Sequence, residues 1–287
     1  MVIQSPAGWG WDRLRHAVQD IGSAKPEEYW RDERLSGSAP VVRSVGIAAI
    51  WRALARGVND FGASRTDVVF LCVIYPVIGL LLGVLASGHG LLPLLFPLAS
   101  GFALVGPFAA IGLYEMSRRR EQGASVTWLD AFGVIRSPAI RPIVLLGILL
   151  TVIFLLWLVV AQLIYVLTLG PAPPVSAGLF IRDVLTTGAG WTMIVVGVGV
   201  GLLFAILVLA ISSVSFPLLL DRDAGIGTAV STSVRVMAAN PLVMATWGLV
   251  VAGALVLGML PLFVGLVVVL PVLGHATWHL YREVVER

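Results

Sequence analysis

His275, His279 and Glu283 stand four residues apart in LGHATWHLYREVVER, residues 273–287. On a helix, residues four apart stack on one face, and two imidazoles with a carboxylate suit zinc or iron. This stripe is the candidate metal site of the sequence. The competing reading is that these residues, with Trp278 and Tyr281, form the polar and aromatic belt of a helix leaving a membrane. The rest of the chain favours the belt. A haem-bearing core needs histidines from several membrane helices, and of His16, His89, His275 and His279 only His275 lies well inside an expected span. GVGVG at 197–201 lacks the strand and the glycine spacing of a nucleotide loop. The sole lysine, Lys25, precedes the apolar core. No catalytic residue is assigned. The expectation is a protein that is not an enzyme and has no cofactor beyond that metal possibility.

The elements that must carry these residues are hydrophobic. The chain of 287 residues is 58% hydrophobic and 12% charged, far from a soluble domain. Asp, Glu, Lys and Arg are absent from 68–114, 143–181, 184–220 and 236–281. About 20 apolar residues cross a bilayer core as a helix, and lipid offers no partner to an unpaired backbone group. The expected fold is therefore all-α and polytopic, with six transmembrane helices: Val68–Ala86, Leu91–Tyr114, Ile143–Leu167, Trp191–Leu220, Leu242–Leu260 and Leu262–Tyr281. Ser87, Gly88, His89 and Gly90 turn the chain between the first two spans, and Met259, Leu260 and Pro261 between the last two. Pro171, Pro173 and Pro174 forbid a continuous helix after the third. Gly197 and Gly201, like Gly79 and Gly83, are expected to let helices pack closely.

Charge sets the orientation. Of 19 Lys and Arg residues, nine precede the first span, and Arg182 alone falls on the side opposite to the termini. Both termini are expected in the cytoplasm, with the chain multi-pass in an inner membrane. No apolar leader opens the chain, so the first span is expected to direct insertion. The net charge of +3 follows from this asymmetry and suits anionic headgroups, so the lipid bilayer is a partner and nucleic acid is not. One cysteine, Cys72, excludes a disulfide framework within the chain.

The cytoplasmic segments repeat a device. VGIAAIWRALARGVNDF carries Ile47, Ile50, Trp51, Leu54, Val58 and Phe61 at helical spacing. SVTWLDAFGVIRSP carries Trp128, Phe132 and Ile135, and IGTAVSTSVRVMAANP carries Ile226, Val230, Val234 and Met237. Each precedes a pair of spans, so the expected arrangement is three repeats of amphipathic helix plus hairpin. The even spans end in GLYEMSRR, PLLLDRDAG and HLYREVV. Glu115, Arg118, Asp221, Arg222, Arg282 and Glu283 form a candidate interfacial polar ring there, with ordinary headgroup contact as the other reading.

Residues 45–285 resemble the bacterial integral membrane proteins grouped as domain of unknown function 2189, through ALARGVNDF at 53–61, GPFAAIGLYEMSRRREQG at 106–123 and GHATWHLYR at 274–282. The resemblance implies a bacterial inner-membrane location and supplies no activity. Residues 45–287 make the six-span membrane domain. Residues 1–44 form a cytoplasmic N-terminal extension with a short amphipathic helix, Trp11, Leu14, Val18 and Ile21 on one stripe, followed by a polar linker. That stripe and the lack of chemistry in the core point first to an accessory or scaffold subunit of a larger membrane complex, respiratory or otherwise energy-transducing, with other membrane-protein subunits as partners. The alternative is a transporter or channel-like protein for a neutral or lipid-like small molecule, because the spans carry proline and serine but no charge.

Overall fold

Helices satisfy their own backbone hydrogen bonds, and this chain uses them almost throughout. A computed structural model describes residues 40–72, 77, 79–81, 84, 92–124, 126–222 and 224–286. The helices are α1 (Ala48–Cys72), α2 (Leu95–Ala109), α3 (Ile111–Glu121), α4 (Ile140–Leu169), α5 (Ala177–Thr186), α6 (Gly188–Ser212), α7 (Ser215–Asp221), α8 (Ile226–Ala239), α9 (Pro241–Met259) and α10 (Leu266–Val284), with short 3-10 turns at Leu92–Leu94 and Trp128–Arg136. Among the described residues four stretches are long and apolar enough to cross a membrane: Leu92–Glu121, Ile140–Leu169, Gly188–Asp221 and Pro241–Met259. They coincide with the second to fifth expected spans. About half of the expected first span, and most of the N-terminal extension, lie outside the described residues. The sixth expected span falls on α10, which is not one of these four stretches: it is apolar up to Leu273 and then loaded with His275, His279, Arg282 and Glu283.

Two of these stretches are broken rather than straight. Pro107, inside α2, removes one rung of the helical ladder, and α2 gives way to α3 at Ala110. In the second stretch the ring of Pro217 would crowd the Ser213 carbonyl four residues earlier, and α6 ends at Ser212 before α7 resumes at Ser215. Between α9 and α10 the turn expected at Met259–Pro261 is completed by Leu262 and Phe263 at φ of 52° and 67°, a left-handed conformation that costs L-residues roughly 1–2 kcal/mol each. The segment after α4 holds a helix that the prolines had hidden: Ser176 caps α5 by accepting from the Leu179 amide at 3.3 Å.

The amphipathic segments bury a different face from the one their large residues suggest. In α1 the covered stripe is Ala49, Ile50, Ala53, Gly57 and Asp60, while Ile47, Trp51 and Val58 are exposed. In α8 it is Ala229, Thr232, Ser233 and Val236, with Val234 exposed and Ile226, Val230 and Met237 half-buried. The middle segment is a 3-10 turn whose Phe132 and Ile135 face outward while Val134 is covered. Lipid tails are as apolar as a protein core, so large side chains gain little by turning inward, whereas small ones let helices approach. Gly57 shows the consequence: a Cβ there would lie 2.7 Å from the Ala276 amide nitrogen and 2.8 Å from the Val272 carbonyl oxygen. Helices α1 and α10 run antiparallel through this point, with Arg52 meeting Glu283 and Gly79 meeting Phe263.

The expected glycine packing holds in part. Gly201 abuts Trp157 and Gly79 abuts Phe263, but Gly197 faces open space. Gly83 lies outside the described residues. Val42, ahead of α1, pairs antiparallel with Val285, just after α10. Asn240, buried at the corner between α8 and α9, accepts from the Val45 amide at 2.7 Å and donates to the Arg43 carbonyl at 2.9 Å.

Candidate functional site

The small-residue stripe of α1 brings Asp60 against α3 and α10. Asp60 Oδ2 accepts from Ser117 Oγ at 2.7 Å and from His279 Nε2 at 2.8 Å, and Arg120 Nε lies 3.2 Å from Oδ1. Because Ser117 spends its only proton on Asp60, His275 Nδ1, 2.8 Å from Ser117 Oγ, is assigned as the donor to that oxygen. The result is a directed chain from His275 through Ser117 to Asp60. Its loose end is His275 Nε2, fully buried without a hydrogen-bond partner of good geometry among the described residues. Burial pushes the Asp60 carboxyl up, but the hydrogen bonds from His279 and Ser117 outweigh it and hold the group below its ordinary range.

Glu283 does not join its two histidines. Its carboxylate takes Arg52 Nη2 at 2.6 Å and Arg56 Nη1 at 3.3 Å, and the hydrogen bond from Arg52 holds its carboxyl below the usual range. His279 faces Asp60 instead, and His275 faces Ser117. Among the described residues no group of three or more His, Cys, Asp or Glu is arranged to hold a metal ion.

The six residues of the expected polar ring fall into separate networks. Glu115 takes Arg118 at 2.7 Å and Arg119 at 2.6 Å, and Arg119 continues to Asp130 at 2.6 Å. Arg282 ties three helices together, donating to Glu121 of α3 at 2.9 Å and Asp221 of α7 at 2.8 Å. Its guanidinium lies 4.9 Å from the Trp278 ring centre, Trp278 Nε1 donates to Glu121 at 3.1 Å, and the Tyr281 hydroxyl donates to Asp221 at 2.7 Å. Arg222 turns to the Glu286 carbonyl. Asp60, Ser117, Glu121 and Asn240 were missed because the partners of each lie on other elements, which spacing along one helix does not reveal. Asp60 stood within the quoted ALARGVNDF, where its position on the small stripe was the available signal.

The helix breaks open space. A cavity of about 460 Å³ lies where α2, α6, α9 and α10 face one another, touching Pro107 and Ala110 at one break and Ser212 and Ser213 at the other. Its floor includes buried Val208, Trp247 and Leu255, and its margin Leu202, Ile206 and Leu249 is exposed, so it opens sideways between α6 and α9. Among the described residues no charged one lines it. Three of the lining hydroxyls are turned back into the protein: Ser212 donates to the Val208 carbonyl at 2.7 Å, Thr277 to the Leu273 carbonyl at 2.7 Å, and Ser213 pairs with Ser233 at 3.2 Å. Such a site takes hydrocarbon and tolerates a small uncharged polar group.

Comparison with known proteins places the middle of the chain. Residues 95–221 match the family DUF2189, described as a predicted integral membrane protein. The match contains GPFAAIGLYEMSRRREQG and both helix breaks, so the kinked helices lie within the DUF2189 region. ALARGVNDF and GHATWHLYR, which build the Asp60 cluster, lie outside it. Comparison with curated proteins and with solved structures returned no match.

Proposed function

We propose that this DUF2189 protein is a non-enzymatic carrier or channel-like protein for a neutral, lipid-like small molecule, which enters the interhelical cavity sideways from the bilayer. The observation that carries the reading is the uncharged cavity at the two helix breaks, with its exposed margin between α6 and α9. Broken helices in membrane proteins are tolerated where they line a cavity, and they are characteristic of substrate sites in transporters. The architecture we propose around it is six crossings in three hairpins, each preceded by an amphipathic segment, with both termini in the cytoplasm of a bacterium.

The test uses the full chain in lipid nanodiscs with a diazirine-bearing hexadecanol as the probe. The expected result is covalent adducts on the cavity floor at Val208, Trp247 and Leu255, displaced by unlabelled hexadecanol and not by hexadecyl sulfate. Adducts confined to outward residues such as Leu203 and Leu257, with no displacement, contradict the reading. The scaffold role rests on residues 1–44 and remains our second reading. Deleting them would preserve insertion and weaken co-purification of a partner subunit, and unchanged co-purification would remove that role.

A further inference from the structure

A second apolar cavity, of about 480 Å³, lies further along the same helices, beneath α5. It too has no charged lining residue, and it too has exposed margins, at Phe96, Ile181 and Val198. On α6 it touches Ile194 and Val198 where the first touches Leu202, Ala205 and Leu209, and on α2 it reaches Pro97 where the first begins at Leu104. Val198 to Leu202 is one helical turn and Pro97 to Leu104 two, so both cavities follow one seam.

At the end of the second cavity nearer the first stands Trp157, with Phe154 against Gly101 one turn further on. Trp157 of α4, 2% exposed, packs its ring 5.5 Å from that of Phe204 and donates from Nε1 to Ser100 Oγ at 3.0 Å. Ser100 is itself fixed, donating to the Pro97 carbonyl at 2.7 Å. Gly201 makes the room: a Cβ there would meet the indole at 3.1 Å. A tryptophan whose polar end is bonded and whose ring is wedged between helices is a rigid partition.

Resting on the carrier reading above, we propose that the two cavities are halves of one hydrocarbon path along α6, divided by Trp157, which thereby sets the chain length of the neutral single-chain amphiphile that the inner half accepts. The ligand class follows from the lining, which solvates methylene chains and offers nothing to a charge.

The experiment extends the nanodisc probe to a series of unlabelled n-alcohols of increasing length, competing for the adducts at Val208 and Trp247. The alcohols are compared at equal mole fraction in the nanodisc lipid, where each methylene already has apolar cover, so length registers only through contacts made inside the cavity. In the wild type, displacement improves with length and then levels off where the chain meets Trp157. In Trp157→Ala the improvement continues to longer alcohols, so that docosanol displaces better than it does in the wild type. Phe204→Ala, which loosens the partition and keeps the bond to Ser100, shifts the plateau the same way and serves if Trp157→Ala does not fold. A plateau at the same length in wild type and in each variant that elutes as a single species overturns the partition and leaves the inner site standing. Absence of displaceable adducts in the wild type overturns both.

Discussion

Asp60 gathers three donors from two other helices onto one carboxylate, and the cost of changing each member follows from who is left unpaired. Asp60→Ala strands Ser117, His279 and Arg120 at once, so it should lower stability in detergent by about 3 kcal/mol, read as a fall in Tm. His275→Leu breaks the bond from Nδ1 to Ser117, whose hydroxyl keeps its bond to Asp60. Its cost should stay within about 1 kcal/mol. Acid should act through the same group. Asp60, Asp130 and Glu283 all titrate below their ordinary values in the folded chain, Asp130 chiefly through the Thr127 amide. A depressed carboxylate contributes stability that is full above its unfolded pKa, about 4, and is lost as pH falls through its folded value. Tm in detergent should therefore drop below about pH 4, and drop less in Glu283→Gln. The histidine stripe was legible at this scale and its partners were not. Helical spacing tells which residues share a face, but says nothing of which carboxylate another helix presents, and here α10 meets α1 across more than 200 residues of chain.

At the scale of elements, the four central spans could be read because charge-free runs and turn residues mark them directly. The buried faces of the amphipathic segments could not, since periodicity reveals a stripe of large apolar residues without telling whether protein or lipid covers it. Gly57 gives the check. Gly57→Val pushes a side chain into the backbone of α10 and should cost about 2 kcal/mol or more. Gly62→Ala on the same helix meets nothing within 4 Å and should be neutral or stabilising by up to about 1 kcal/mol. Finding both variants equally stable by thermal unfolding would mean that α1 and α10 do not touch at Gly57. The breaks near Ala110 and Ser213 have a cause visible in Pro107 and Pro217, but proline alone does not say whether a helix bends or opens. The space left at both breaks decides it.

For the whole molecule, the account joins an asymmetric charge distribution to an uncharged interior. A reporter fused after Arg287 should read as cytoplasmic, and a periplasmic signal there would reverse the proposed topology. The all-helical, membrane-spanning class was within reach of composition, whereas the cavity was not, because it depends on how α2, α6, α9 and α10 meet and not on any motif. The most direct measurement is of what the protein carries. The full chain and a Gly248→Trp variant, whose indole fills the cavity opposite Leu209, are purified from membranes in a mild detergent, denatured, and their extracts compared by mass spectrometry. A neutral lipid-like species stoichiometric with the natural chain and lost from Gly248→Trp is the result expected. The same lipids in the same amounts from both proteins would contradict the account.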